Sequence, residues 1–221
     1  MITHIKPSVA IPELKSTTTN SGRTYQIPSG EKYPSITTML GHKEKPWLAD
    51  WQNMLGANKA AKETKRCSDR GTAVHEMVEK FLNNEEDPTK GYSPDHIKGF
   101  NQLKFKLKNV DNIRTQEASL YSKQLRIAGR VDCIGEYNGK LSIIDFKTSN
   151  GIKDRDTIED YFLQCTAYAI MWHELTNESI TNITVLMCVE RGMVPLVFED
   201  TIDKYVEPLL TRIAQYYRET T

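Results

Sequence analysis

Residues 129–149, GRVDCIGEYNGKLSIIDFKTS, constrain the fold more than any other part of the chain. Asn-Gly between two runs rich in β-branched residues is the strongest short-range hairpin signal, because a type I′ turn needs φ > 0 at both central positions. With Asn138 and Gly139 as the loop, Tyr137 faces Lys140, and counting outward sets Asp132 directly opposite Asp145. Like charges placed that way destabilise a strand pair. Three arrangements relieve the repulsion. The carboxyls share a proton, they hold a cation, or a bulge shifts the register so that they never meet. Lys147, two residues beyond Asp145, projects from the same face of its strand. Val131, Cys133, Ile144 and Phe146 are expected on the opposite face, against a core.

Two acids and a lysine on one face suit metal-assisted phosphodiester hydrolysis. Hard oxygens bind Mg²⁺ or Mn²⁺, the ion activates water and offsets phosphate charge, and the lysine adds a fixed positive charge. Asp-x-Lys alone is common by chance; the turn and the register give it weight.

The rest of the chain supplies the frame. Residues 1–35 are polar and turn-rich and read as an irregular arm, and residues 36–221 as one domain. Helical patterns run through PSITTMLG, PWLADWQNMLGANKAAKETKRCSDR, RGTAVHEMVEKFL and HIKGFNQLKFKLKNV. Three strands follow, then the strongly apolar helix DTIEDYFLQCTAYAIMWHEL, two strands around Arg191-Gly192, and a last helix with Pro208 near its start or kinking it. That order predicts an α/β domain, a central mixed β-sheet flanked by helices with a helical N-terminal part. His75 falls at the edge of the apolar stripe formed by Val74, Met77, Val78, Phe81 and Leu82. A histidine so placed is ordinarily a core or rim residue and less often a ligand. Lys59, Lys62, Arg66 and Arg70 recur at intervals of three, four and four, one basic stripe on a helix. Such a stripe is usually a solvated face; a phosphate track is the alternative. Trp47 and Trp51, one turn apart, suit either base stacking or core packing.

Charge and cysteine content narrow the class. Twenty-nine basic residues balance twenty-nine acidic ones, so a nucleic-acid site must be a local patch. Cys67, Cys133, Cys165 and Cys188 are scattered, without disulfide or zinc spacing. No apolar run is long enough to span a membrane.

In chain order, RGTAVH, Glu117 in TQEASLYS, Asp132 in GRVD, Asp145-Phe146-Lys147 in IIDFKTS, and Gln164 and Tyr168 in QCTAYA resemble the motifs of the PD-(D/E)XK nuclease superfamily, in its RecB-like branch. YPSITTMLG and WLADWQ extend the resemblance to mitochondrial genome maintenance exonuclease and related phage exonucleases. It implies a restriction-endonuclease-like core and cleavage of DNA, preferably single-stranded, from an end. Asp132, Asp145 and Lys147 would be catalytic. His75, Asp132, Asp145, the Phe146 carbonyl and, less firmly, Glu117 would hold Mg²⁺ or Mn²⁺. Gln164, Tyr168 and Thr148 would contact substrate, and beside such a site Lys59, Lys62, Arg66 and Arg70 read as a track for the strand. The cysteine spacing does not resemble the iron–sulfur members, so no cluster is expected. A helicase or single-strand-binding protein would be a separate chain, since no phosphate-binding G-x-x-x-x-G-K-[ST] loop is present. The first residues show neither a secretion signal nor a mitochondrial one, which favours a cytoplasmic setting in a bacterial or phage-infected cell.

Overall fold

A computed structural model describes residues 1–43 and 46–220, the side chains of residues 46–48 excepted. The chain opens with β1 (Lys15–Thr19), β2 (Gly22–Gln26) and β3 (Lys32–Pro34), a small antiparallel sheet in the order β1-β2-β3. Helices α1 (Ile36–Gly41), α2 (Pro46–Leu55), α3 (Ala57–Leu82) and α4 (Pro94–Leu107) follow. The main sheet contains β4 (Val110–Ser122), β5 (Ile127–Tyr137), β6 (Lys140–Ser149), β7 (Asn182–Val189) and β8 (Leu196–Thr201), in the order β4-β5-β6-β7-β8. Between β6 and β7 runs α5 (Glu159–Thr176), and α6 (Val206–Thr220) closes the chain. Among the described strands only β6 and β7 are parallel neighbours, as the long crossover through α5 requires.

The expected α/β domain with a mixed sheet is the fold observed. The irregular arm is not. Residues 3 to 5 lie along β4, with Ile5 N–H donating to the Ile113 carbonyl at 2.7 Å and Ile113 N–H to that of Thr3 at 2.8 Å, so they cover an otherwise open sheet edge. Residues 15–34 form β1 to β3. Their polarity hid them, because β1 is exposed throughout and only Tyr25, Ile27 and Tyr33 of this segment join Ala128 in a small core.

Each face of the main sheet has its own core. Val74, Met77 and Val78 of α3, with Phe100, Leu103 and Leu107 of α4, cover Cys133, Ile144 and Phe146. On the other side α5 brings Phe162, Leu163 and Trp172 against Ile134, Ile143 and Val185. Being covered on both faces, β7 is buried almost end to end and reads as a continuous apolar run. Pro208 falls in the first turn of α6, where its missing N–H costs little.

Candidate active site

The β5–β6 hairpin has the predicted turn. Asn138 and Gly139 take φ of 50° and 76°, and Tyr137 pairs with Lys140. The register continues through Cys133–Ile144 and the ladder ends there, one step short of the two aspartates. Outward from a two-residue turn, alternate pairs are hydrogen-bonded, so Phe146 N–H is the next donor due. It donates to Asp132 Oδ2 at 2.8 Å. A carboxylate therefore replaces the ladder where the strands part. Val131, expected beside Cys133, packs instead into the core on the α5 side.

The neighbouring strand is irregular at the same level. Gln116 pairs with Cys133 and Ala118 with Val131, while Glu117 between them stands at φ 48°. A glutamate rarely adopts that left-handed conformation, and such strain gathers at sites that over-determine it. The surrounding holds are visible. Arg130 Nε lies 2.7 Å from Glu117 Oε2 and donates to its carbonyl at 2.9 Å. The turn of backbone brings Glu117, His75 and Asp132 together, with one potential ligand atom from each lying within 4.8 Å of the others. His75 Nδ1 is 3.6 Å from Asp132 Oδ2, and its ring meets Phe146 edge-on at 6.2 Å. Burial, with the Asp132 charge added, raises the Glu117 carboxyl to about 7 against the opposing pull of Arg130.

Asp145 lies deeper, 1% exposed. Lys147 Nζ donates to its Oδ1 at 2.6 Å, and Gln164 Nε2 reaches the same oxygen at 3.3 Å. Oδ2 is 2.5 Å from Nζ in the same ion pair and is buried. Burial raises the Asp145 carboxyl to about 6; Lys147 opposes that rise and Asp132 adds to it. The carboxylates in turn raise Lys147 above its ordinary value against burial. The lysine also stands 5.1 Å from the centre of the Tyr161 ring, a neighbour that the sequence did not single out. Gln164 also donates to Tyr168 Oη at 3.3 Å, and both side chains are buried on α5. Gly129 makes room for them, since a Cβ there would lie 2.7 Å from Tyr168 Cε1. Thr148 sits under α3, its hydroxyl 3.7 Å from where Gly71 would carry a Cβ, and does not line the cleft.

The cleft at this cluster has a volume of about 550 Å³. Gly71, Thr72, His75, Glu76 and Glu79 of α3 form one wall, and Arg23, Tyr25, Ser35 and Thr37 another. The second wall comes from the segment read as an arm or as plain helix, and only the YPSITTMLG resemblance hinted at it.

The basic stripe is not brought to the cleft. At about 100° per residue, Lys59, Lys62, Arg66 and Arg70 lie on nearly the opposite side of α3 from His75. Arg66 bonds Glu63 and Glu190, and the buried Arg70 bonds Asn150 at 2.6 Å and pairs with Glu190 at 2.6 Å. These guanidiniums hold Glu63 and Glu190 down to about 2. Internal carboxylates already occupy them, and the stripe fastens α3 to the ends of β6 and β7. Lys59 and Lys62 are exposed. The side chain of Trp47 lies outside the described residues, and Trp51 is half-buried.

Comparison with known proteins agrees with the hairpin chemistry. Residues 92–193 match the profile of the PD-(D/E)XK nuclease superfamily. That segment is similar to the superfamily over a little under half of the chain. The match spans Asp132, Asp145, Lys147, Gln164 and Tyr168, while His75 lies before it. PD-(D/E)XK nucleases use divalent metals, and the donor set here fits one: two carboxylates and an imidazole converge, with potential ligand atoms within 4.8 Å of one another.

Among curated proteins, mitochondrial genome maintenance exonuclease 1 of Homo sapiens is 28% identical over 180 residues, covering 76% of this chain and 49% of that protein. The protein of the same name from Mus musculus is 28% identical over 145 residues, 61% of this chain and 43% of that one. The chain thus spans less than half the length of these relatives. A crystal structure from Eubacterium rectale, named only as a candidate exonuclease, aligns with TM-score 0.48 and 11% identity over 69% of this chain and 66% of that one. The expected cytoplasmic setting in a bacterial or phage-infected cell is overturned by the curated relatives, whose names are mitochondrial and whose sources are animals. That expectation rested on the first residues alone, and these are built into the fold beside β4.

Proposed function

We propose that the chain is a metal-dependent DNA exonuclease that hydrolyses phosphodiester bonds from an end of single-stranded DNA, in DNA replication, recombination or repair. The observation that carries this reading is the convergence of His75, Glu117 and Asp132 in the cleft, next to the buried Asp145 and its partner Lys147. His75, Glu117, Asp132 and Asp145, with the Phe146 carbonyl, would hold Mg²⁺ or Mn²⁺. When bound, the cation supplies Lewis-acid stabilisation of phosphate charge and lowers the pKa of water at the site. The chain's own groups do the rest. Lys147, kept protonated by Asp145, places a fixed positive charge beside the reacting phosphate. Gln164, which lines the cleft with Tyr168 and donates to its hydroxyl, orients the Asp145 carboxylate. The Phe146 N–H fixes the rotamer of Asp132.

The test uses end-labelled linear single strands, the same sequence as a closed circle, and blunt duplex, each with Mg²⁺ and with Mn²⁺. Linear single strands should shorten from an end while circles stay intact, and Asp145→Asn and Lys147→Ala should each abolish cleavage. Asp145→Asn should also weaken Mn²⁺ binding by calorimetry, whereas Lys147→Ala leaves every carboxylate in place. Cleavage of circles would replace the exonuclease reading by an endonuclease one. Stable protein that cuts none of the substrates would return the chain to a DNA-binding role.

A further inference from the structure

Four acids line the cleft, Glu76, Glu79, Glu117 and Asp132, against two arginines, Arg23 and Arg130. Arg130 is held by Glu117. Arg23 is exposed and, among the described residues, makes no ion pair; its Nε donates only to Thr18 Oγ1, at 3.3 Å. An arginine without a carboxylate on the wall of an acidic cleft is a charge whose partner comes from outside. Resting on the nuclease reading above, we propose that Arg23, on the same wall as Thr37 whose hydroxyl lies 3.0 Å from Ser35 Oγ, binds a backbone phosphate of the DNA strand next to the one cleaved.

The mount of Arg23 is fixed by backbone contacts, although its exposed side chain makes no ion pair among the described residues. Its N–H donates to Thr38 Oγ1 at 2.9 Å, and its carbonyl accepts from Ser35 N–H at 2.8 Å. Gly22 before it is packed so closely that a Cβ would lie 2.3 Å from Thr38 Cγ2. Ser35 in turn bridges to Ala128, four residues before Asp132 on β5. The arginine is thus fixed relative to the carboxylates by backbone contacts, which suits a group that sets where a strand lies. The expected basic stripe cannot take this part, being turned away from the cleft, with its two arginines internally paired.

The experiment compares the full chain with Arg23→Ala and Arg23→Lys, and with Lys104→Ala as a matched charge loss on the exposed side of α4. Affinity for an oligothymidylate is measured in Ca²⁺ across a salt series, and cleavage in Mn²⁺. One phosphate contact on a single strand contributes about −0.7 to the slope of log K against log salt, so Arg23→Ala should flatten it by roughly that amount. Affinity at low salt should fall about tenfold, KM should rise, and kcat at saturation should stay within about twofold, the signature of lost uniform binding. Arg23→Lys should restore the slope, because it keeps the charge. Alanine keeps the backbone bonds that hold β2, so a folding defect is not expected, and matching circular dichroism and melting temperature check that. Unchanged slope and KM in Arg23→Ala, with the parent chain cutting DNA, overturn this inference alone. A parent chain that neither binds nor cuts DNA overturns the nuclease reading, and this inference with it.

Discussion

Glu117 makes stability depend on pH in a definite direction and, on the proposed function, metal affinity with it. Its carboxyl rises from an ordinary 4.5 to about 7, because burial and Asp132 penalise the ionised form. A group with a raised folded-state pKa gives stability that is complete below its unfolded value and lost as pH climbs through its folded one. For Glu117 that window is about pH 4.5 to 7, and Asp145, raised from 3.8 to about 6, acts with the same sign. Glu63 and Glu190 titrate below the window. The span from 4.5 to 7 gives a ceiling of about 3.4 kcal/mol at ~1.36 kcal/mol per pH unit. The Glu117 side chain keeps 20% of its exposure and an arginine partner, so about 1–2 kcal/mol is the discounted figure. In a domain of this size that is about 2–8 °C in melting temperature.

The assay is thermal melting of the metal-free chain between pH 5 and 8, for the wild type and Glu117→Gln. The wild type should lose stability relative to the variant as pH rises; the subtraction removes the histidines common to both. Mn²⁺ competes with these protons, so its stabilising shift should grow with pH in the wild type, approaching ~2.7 kcal/mol at a hundredfold excess over Kd. Identical pH profiles for the two proteins would refute the raised carboxyl. A Mn²⁺ shift that ignores pH would refute its place at the metal.

Two further perturbations probe the supports of the site. Gly129→Ala pushes a methyl to 2.7 Å from Tyr168 and 3.1 Å from Ile36 Cγ2, so it should cost about 1–3 kcal/mol in urea unfolding and lower kcat by disturbing Gln164 and Asp145. Unchanged stability and rate would show that the α5 side chains yield freely. Glu190→Ala strips the buried Arg70 of its carboxylate; since Glu190 is one third exposed, a loss of about 1–3 kcal/mol is expected, below the full cost of breaking a buried pair. Wild-type stability there would mean that α3 is held by its apolar face alone.

Local signals made much of this legible. The Asn-Gly turn, the pairing counted from it and the apolar length of α5 depend on neighbours in sequence, where propensity and period act directly. The joining of His75 to Asp132 came through motif order, for nothing in the helical pattern separates a ligand from a rim histidine. What stayed hidden depends on distant partners. Arg66 and Arg70 look like a free stripe until β7 brings Glu190 beside them, more than a hundred residues later. The arm became a sheet because three inward side chains, Tyr25, Ile27 and Tyr33, found Ala128 on β5. No pattern announces that Glu117 takes a left-handed backbone, since the strain is accepted only where Arg130 and the neighbouring strand hold it.

The repulsion that the hairpin seemed to carry is resolved by dividing the labour between its two aspartates. Asp132 breaks the ladder and takes a backbone N–H, turning its charge toward the cleft with His75 and Glu117. Asp145 turns to Lys147 and stays buried. Each carboxylate thereby gains a partner before any cation arrives, and the ammonium of Lys147 balances one of the two negative charges. One charge beside a strained, readily protonated glutamate remains for the proposed cation to neutralise. A protein keeps such a site metastable when function needs it charged, because replacing the acids with apolar groups would stabilise the sheet and empty the cleft of its chemistry.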